Sequence, residues 1–362
     1  MADGVDLEHL TRRAKQLTRN RNYKRVSELL SGISRDIVVA DPELTLMLAS
    51  AWSYLFRNAA AKQLLLDAAA GIRASRVHSI ARRWQNLMAI QLIREGQIND
   101  AERLLLECLG SAERDSHLRL VAYASNGLGI VASLRGEVEG AIRWYRRMLA
   151  ASQQLGDRFG VGTAHHNLGL VLREWGRWHD SVSHFRLAEE YFGSEGTPEE
   201  RVFTTSERAM LSLAIGDFPL AERLARGAVE KAYQLGSPFL TGTSLRVLGA
   251  ILLAASQTTE ARIHLENARK LSAFLESNLL NAEIYEELAM VELVESAPEL
   301  AEEHKITALG YYRRLGSENH CSRFESRFRA CGGGSARLKI AALLKEVHTS
   351  AEFGKQASKD FK

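Results

Sequence analysis

Large hydrophobic residues recur along the chain at a fixed interval of 40 positions. One set consists of Leu105, Tyr145, Phe185 and Leu265, and a second set consists of Leu128, Leu168 and Leu248. Within each period the hydrophobic positions follow the three-and-four spacing of a buried helical face. The pattern therefore predicts helices that repeat along the chain.

Three columns of small residues keep the same period. The first contains Gly96, Gly136, Gly176, Gly216 and then Ser256; the second contains Ala101, Ala141, Ser181, Ala221, Ala261 and Ala301; the third contains Ala89, Gly129, Gly169, Ala209 and Gly249. Small residues inside two helices let their backbones approach closely, and a glycine between them ends the first helix in a left-handed conformation. Each period is expected to be a helix-turn-helix unit, so the fold class is all-α.

Several of these segments resemble tetratricopeptide repeats, namely Asn126-Gly-Leu-Gly-Ile, the run from Gly136 to Tyr145, and the run from Asn167 to Phe185. The resemblance is to the variant with 40-residue units found in bacterial sensor arms and animal adaptor scaffolds. It implies a right-handed α-solenoid of about eight to nine repeats with a C-terminal capping helix. Two features depart from the pattern: Arg208 stands in an apolar column, and the turn at 257–262 lacks a glycine.

The regularity of the repeats divides the chain into three parts. Residues 1–74 are interpreted as divergent N-terminal repeats, residues 75–315 as the regular array, and residues 316–362 as C-terminal capping helices and a basic tail. A glycine-rich linker follows Cys331, and the segment from Ala336 to His348 is predicted to form an amphipathic helix. That helix either caps the array or binds a partner.

Composition and charge exclude several classes of protein. Hydrophobic residues make up 46% of the chain and the net charge is only +3, which does not by itself indicate nucleic-acid binding. The three cysteines form no paired motif, and the N-terminus lacks a basic region followed by an apolar run. The longest apolar stretches, 44–56 and 247–255, fall short of the roughly 20 residues that cross a bilayer. We expect a cytoplasmic protein with no membrane partner.

Charge is unevenly distributed near the C-terminus. Residues 276–303 contain nine glutamates and no lysine or arginine, whereas basic residues outnumber acids in 305–362. One interpretation is a solvated acidic face beside a basic cap. The other is self-association, in which the basic 305–362 segment docks on the acidic 276–303 segment and is released by salt.

No catalytic or metal-binding signature emerges from the sequence. Gly160-Val-Gly follows a helical pattern and not a strand, so it is no dinucleotide fingerprint. His165, His166, His179 and His184 lack the spacing of a metal site, and Cys108 falls in a core column. The chain is therefore interpreted as a non-enzyme with no catalytic residue, no cofactor and no metal.

The resemblance implies that the first helix of each unit lines a concave surface. Counting six and three positions back, or four forward, from the third small-residue column gives the candidate partner-binding residues Arg83, Asn86, Tyr123, Asn126, His166, Arg173, Phe203 and Arg246. The same face is predicted to turn apolar at Phe203, Met210, Leu213, Leu253 and Ala254, a stretch that is either open to a partner or shielded by the protein itself. A surface with polar and apolar parts fits an extended peptide or an amphipathic helix.

The leading functional hypothesis is a protein-protein interaction scaffold or regulatory sensor arm that binds a peptide segment of a partner protein. The run beginning Leu155-Gly-Asp-Arg resembles the repeat arms of bacterial transcription activators and signalling ATPases, which implies a role in signalling or transcription control. The alternative is a helical repeat protein that binds nucleic acid. It would use the arginine-rich edges Arg143, Arg146, Arg147, Arg323, Arg327, Arg329 and Arg337 with Lys339, and its binding would fall steeply with salt.

Overall fold

The structure is a computed structural model that describes residues 7–75, 77–195 and 198–331. Every regular element in those ranges is a helix, which confirms the all-α prediction. The helices are α1 (Leu7–Arg19), α2 (Tyr23–Ser31), α3 (Arg35–Ala40), α4 (Pro42–Tyr54), α5 (Asn58–Asp67), α6 (Ala69–Ala74), α7 (His78–Arg94), α8 (Ile98–Arg114), α9 (Leu118–Arg135), α10 (Val138–Gln154), α11 (Arg158–Glu174), α12 (Trp178–Glu195), α13 (Pro198–Ala214), α14 (Phe218–Leu235), α15 (Pro238–Ala254), α16 (Thr258–Ser272), α17 (Asn278–Val294), α18 (Pro298–Arg314) and α19 (Glu318–Cys331).

Consecutive long helices pack on each other as hairpins, so the architecture is an α-solenoid of tetratricopeptide-like pairs. The chain forms two compact units: unit 1 ends at Gly127 and unit 2 begins at Leu128, within α9. Unit 1 contains the pairs α1–α2, α4–α5 and α7–α8 with the short helices α3 and α6. The domain boundaries at residues 74 and 315 were predicted from the regularity of the sequence, and they stay a prediction.

The predicted turn column has the expected backbone. Gly96, Gly136, Gly176 and Gly216 all have φ between +72° and +84°, in the left-handed region. Ser256 (φ +66°) continues the series although it carries a side chain. The left-handed conformation costs serine conformational free energy that glycine would not lose. The chain nevertheless reverses at Ser256, so the missing glycine at 257–262 does not break the repeat.

The third small-residue column works as predicted. A Cβ atom placed on Gly169 would lie 2.8 Å from the ring of Phe185, and one placed on Gly249 would lie 2.6 Å from Leu265. The large residues that recur every 40 positions are therefore the partners of the glycines on the neighbouring helix. Arg208, the exception in the apolar column, turns away from the core and pairs with Glu189 on α12, with 2.6 Å between Nη1 and Oε2.

In unit 2 the last helix packs against the first hairpin. The Ser317 hydroxyl, just before α19, donates a 2.7 Å hydrogen bond to the carbonyl oxygen of Leu134. A Cβ atom on Gly136 would lie 2.9 Å from the side chain of Asn319. We call these two contacts together the closing contact. They join the start of α19 and the residue before it to the end of α9 and the turn between α9 and α10. The predicted helix 336–348 and the basic tail lie outside the described residues.

Candidate functional site

The first helices of unit 2 pack side by side. Contacts join α11 to α13, α13 to α15, α15 to α17 and α17 to α19, in addition to the hairpin contacts. We call the surface formed by the five helices α11, α13, α15, α17 and α19 the first-helix face. It corresponds to the face on which the sequence places its partner-binding residues.

A chain of alternating charges runs across this face. Arg173 on α11 pairs with Glu207 on α13 (2.8 Å between Nη1 and Oε2), and Arg246 on α15 pairs with Glu283 on α17 (3.2 Å between Nε and Oε2). On α19, Arg327 contacts two carboxylates of α17, at 2.6 Å from Glu286 and 2.9 Å from Glu287. We call these seven residues the charged network.

The members of the charged network differ in their exposure. The side chains of Glu207 and Arg246 are only 7% and 8% exposed, whereas Glu283 keeps 31% of its side-chain surface. In the pair formed by Arg246 and Glu283, Glu283 is thus the side chain that a ligand can reach. Ion pairs in such surroundings are screened by salt less than pairs on an open surface.

The surroundings shift the pKa values of two network carboxylates in opposite directions. Burial raises the pKa of Glu283 to about 7, although Arg246 opposes the shift. Burial also acts on Glu286, but Arg327 and the hydroxyl of Tyr312, at 2.7 Å, outweigh it and lower the pKa of that carboxyl. Glu283 is therefore the network carboxylate that exchanges a proton near neutral pH.

Aromatic rings lie beside the charged network. Phe203 on α13 and Phe239 on α15 have ring centroids 6.4 Å apart, and the ring of His166 on α11 lies 5.0 Å from that of Phe203. Both phenylalanines are half-buried. We call Phe203 and Phe239 the aromatic edge, since they offer apolar surface next to charged side chains.

Buried polar atoms of this region without a hydrogen-bond partner among the described residues include Oγ1 of Thr243 and Nε2 of His166, in side chains that are each 5% exposed. His166 bonds Oγ1 of Thr204 through Nδ1, at 3.0 Å. Burial lowers the pKa of His166 to about 4, so its ring is neutral at pH 7. A neutral ring can donate or accept a hydrogen bond at Nε2.

The structure brings together the four predicted partner-binding residues of unit 2. His166, Arg173, Phe203 and Arg246 all lie on the first-helix face. His166 and Arg246 are buried there, and the ring of His166 packs beside that of Phe203. The role of these four residues in partner binding stays a prediction.

The four predicted residues of unit 1 have separate surroundings. Nη1 of Arg83 lies 3.0 Å from both carboxylate oxygens of Glu43, and Asn86 is half-buried. Tyr123 is exposed over 44% of its surface, and Asn126 is half-buried. Their role in partner binding stays a prediction.

The predicted apolar stretch is part of the core. Leu213, Leu253 and Ala254 are buried, and Met210 packs against the same core cluster. Their positions near the C-terminal ends of α13 and α15 place them between helices, so the protein itself shields them. Of the predicted apolar surface, Phe203 and Met210 remain partly accessible.

The sequence analysis missed most of the charged network, namely Glu207, Glu283, Glu286 and Glu287. A signal was present for two of them. The third small-residue column continues to Ala289, and counting six and three positions back from it gives Glu283 and Glu286. Glu207 and Glu287 lie one position outside the counted offsets.

The acidic run at 276–303 is largely neutralised within the chain. Besides the network pairs, Arg262 bonds the buried Glu292 and also Glu295, and Lys305 bonds Glu302. The predicted acidic patch therefore carries less free charge than its sequence indicates. Self-association through 276–303 and 305–362 stays a prediction, and most of the basic segment beyond Cys331 lies outside the described residues.

The arginine-rich edges are also partly engaged. Arg327 belongs to the charged network, and the guanidinium of Arg147 lies 5.8 Å from the ring centre of Trp144. Arg323 lies 3.8 Å from Glu174, while Arg143 is exposed. Arg337 and Lys339 lie outside the described residues.

Two of the four histidines considered as metal ligands, His165 and His184, form a pair. Nδ1 of His165 lies 2.8 Å from Nδ1 of His184, so one ring donates to the other. In the described part of the chain no group of three or more metal-ligating side chains occurs. A shallow cleft of about 160 Å³ borders His184 and is lined by Arg146, Arg177 and Asp180 among others.

Helical hairpins of constant period, small residues at helix crossings and side-by-side first helices define a helical repeat protein. Residues 118–192, which contain most of α9–α12, match the tetratricopeptide repeat family model. In this segment the chain is thus similar to tetratricopeptide repeats, and the helical hairpins on either side share that architecture. A comparison with curated protein sequences finds no match. Within the described ranges, no helix combines the length and hydrophobicity needed to span a membrane.

Solved structures share the fold at low sequence identity. A Rap protein complexed with competence and sporulation factor has a TM-score of 0.61 at 10% identity, over 93% of this chain and 99% of that chain. The Rap conjugation gene regulator of plasmid pLS20 in complex with the Phr* peptide gives 0.61 at 13%, over 76% and 74%. NprR in complex with its cognate peptide NprX gives 0.56 at 15%, over 80% and 83%.

Proposed function

We propose that this protein is an interaction module that binds a peptide segment of a partner on the first-helix face of unit 2. The observation that carries the proposal is the combination on one face of a partly exposed charged network and the aromatic edge. It acts by binding and not by catalysis.

An extended peptide has the groups that this face can satisfy. Its apolar side chains would cover the aromatic edge, and its polar groups would contact the exposed part of the charged network. The half-buried rings add apolar area of the kind that anchors interfaces.

The structural neighbours support the same class of ligand. Two of them are named as complexes with peptides, NprX and Phr*, and one is named as a gene regulator. We infer from this shared fold that the protein serves signalling or transcription control, in the cytoplasm. Because the sequence identity to these proteins is low, the peptides that they bind do not indicate the sequence of the peptide that this chain binds.

The test is selection from a synthetic library of short random peptides. The full chain is incubated with the library, separated from free peptide by gel filtration, and the retained peptides are identified by mass spectrometry. Phe203→Ala should reduce retention because it removes half of the aromatic edge.

The matched control is Tyr233→Ala on α14, a second helix, where the ring is 57% exposed. This variant removes a similar aromatic area from outside the first-helix face and should retain peptides like the native chain. Retention that is equal in all variants, with unchanged helical content, would place binding elsewhere. Absence of any retained peptide would contradict the proposal.

A further inference from the structure

The charged network has one more carboxylate than it has guanidinium groups. Glu207, Glu283, Glu286 and Glu287 face Arg173, Arg246 and Arg327. Arg323, which also acts on Glu286, has its own partner in Glu174. A buried charge without a compensating partner is costly, so the network is one cation short of balance.

The position of the missing cation follows from the contacts of each carboxylate. Glu207 holds Arg173 at 2.8 Å, and Glu286 and Glu287 share Arg327 at 2.6 and 2.9 Å. Glu283 has the loosest pairing, 3.2 Å from Nε of Arg246, and it is the most exposed carboxylate of the four. A cation arriving from solvent therefore meets Glu283 first.

We propose that the peptide bound by the first-helix face carries a cationic group, a lysine or arginine side chain or an N-terminal ammonium, that pairs with Glu283. The inference rests on the proposed function and specifies its ligand. The guanidinium or ammonium group completes the network by adding a fourth cation to its four carboxylates. Charge-assisted hydrogen bonds of this kind are about twice as strong as neutral ones.

Pairing at Glu283 couples peptide binding to proton release. The groups that act on Glu283 are Arg173 on α11, Glu207 on α13, Arg246 on α15 and Glu286 on α17, and burial together with the two acids keeps its pKa near 7. Below that pH the free protein holds a proton on Glu283, which the cation must displace into solvent. Affinity should therefore fall on acidification, to about one-tenth of its plateau value near pH 6.

The experiment compares peptide libraries on the full chain. One library has free N-termini and one is N-acetylated, and both omit histidine. Lysine or arginine enriched in the acetylated library identifies a side chain as the cation, and retention that needs the free N-terminus identifies the ammonium. Glu283→Gln should remove the enrichment and lower the affinity of a retained basic peptide by about tenfold or more.

The matched control is Glu299→Gln, which makes the same change of charge at an exposed position in the first turn of α18. It should leave the enrichment intact. If Glu283→Gln does not fold, the affinity of the native chain for an acetylated basic peptide between pH 5.5 and 8 still decides. A pH-independent affinity overturns the inference.

Failure of this inference is distinguishable from failure of the proposed function. Retained peptides without any basic residue or N-terminal requirement overturn the cation at Glu283 and leave peptide binding standing. Basic peptides retained equally by the native chain and Glu283→Gln likewise overturn it. No retained peptide in either library overturns both.

Discussion

Arg327 donates to Oε2 of Glu287 from 2.9 Å and ties α19 to α17 across the first-helix face. Its other guanidinium nitrogen bonds Glu286 at 2.6 Å, so one arginine neutralises two carboxylates. Glu287 is buried and Glu286 is only 17% exposed. The stability of the C-terminal part of unit 2 therefore depends on a single cation.

Replacing Arg327 by Ala should lower the free energy of unfolding by about 3–5 kcal/mol, because the buried Glu287 loses its partner and Glu286 keeps only the Tyr312 hydroxyl. Urea denaturation followed by circular dichroism measures the effect. Arg329→Ala, two residues later and exposed, is the control and should change stability by less than about 0.5 kcal/mol. Similar urea midpoints for the two variants would contradict this account.

Gly129→Ala tests the close helix crossing. A Cβ atom on Gly129 would overlap the ring of Tyr145, a fully packed residue of the next helix. Overpacking should lower the free energy of unfolding by about 1–3 kcal/mol. Gly227→Ala is the counterpart, since Gly227 lies inside α14 with nothing within 4 Å of its Cβ position. That variant should raise stability by about 0.5–1 kcal/mol, and melting curves that shift in the same direction would refute the packing argument.

Ser317→Ala tests the closing contact. The substitution removes the donor to the Leu134 carbonyl oxygen and should cost about 1–3 kcal/mol, because that oxygen is left without its partner. Hydrogen exchange of the amides in α19 should accelerate. Ser183→Ala on α12 is the control, since its hydroxyl is exposed and bonds only within its own helix. Unchanged exchange in Ser317→Ala would show that the contact contributes nothing to α19.

His166 should make stability depend on pH. Burial lowers its pKa from 6.5 to about 4, so between these values the unfolded chain binds a proton that the folded chain does not. The contribution of the neutral His166 ring to the free energy of unfolding is complete above pH 6.5. This contribution is lost as the pH falls toward 4, and the total loss is about 3 kcal/mol. His166→Asn should show a smaller loss of unfolding free energy over that range, and the exposed His179→Asn should behave like the native chain. Parallel pH profiles for His166→Asn and the native chain would count against this assignment.

The fold was predictable because its determinants are local and periodic. The glycine that crosses a partner helix and the aromatic residue that packs on it, such as Gly169 and Phe185, occupy fixed places in each period. A second turn column escaped notice, although Gly156, Gly236 and Gly316 all have φ of +63° to +66° and mark the ends of second helices. These glycines are also spaced by multiples of 40 residues, so the same search would have found them.

The candidate site was predictable only in part, because its contacts join different repeats. The sequence places His166 and Arg246 on the correct face, but burial depends on how closely neighbouring first helices approach. Arg173 and Glu207 lie 34 positions apart and meet only when α11 and α13 pack together. Arg327 and Glu287 do lie 40 positions apart in one column. The pairs of Arg173 with Glu207 and of Arg246 with Glu283 join different columns, so those parts of the charged network needed the structure.

The closing contact also changes how unit 2 should unfold. In an open repeat array each repeat is stabilised by its neighbours, so the terminal repeats fray first and unfolding proceeds inward. In unit 2 the turn at Gly136 and the residues around Ser317 are neighbours, so neither end is free to fray independently. Loss of the first hairpin would expose α19, and loss of α19 would expose the first hairpin. Unit 2 should consequently melt as one cooperative body with a single transition, where an open array of the same length would lose its repeats in a graded series.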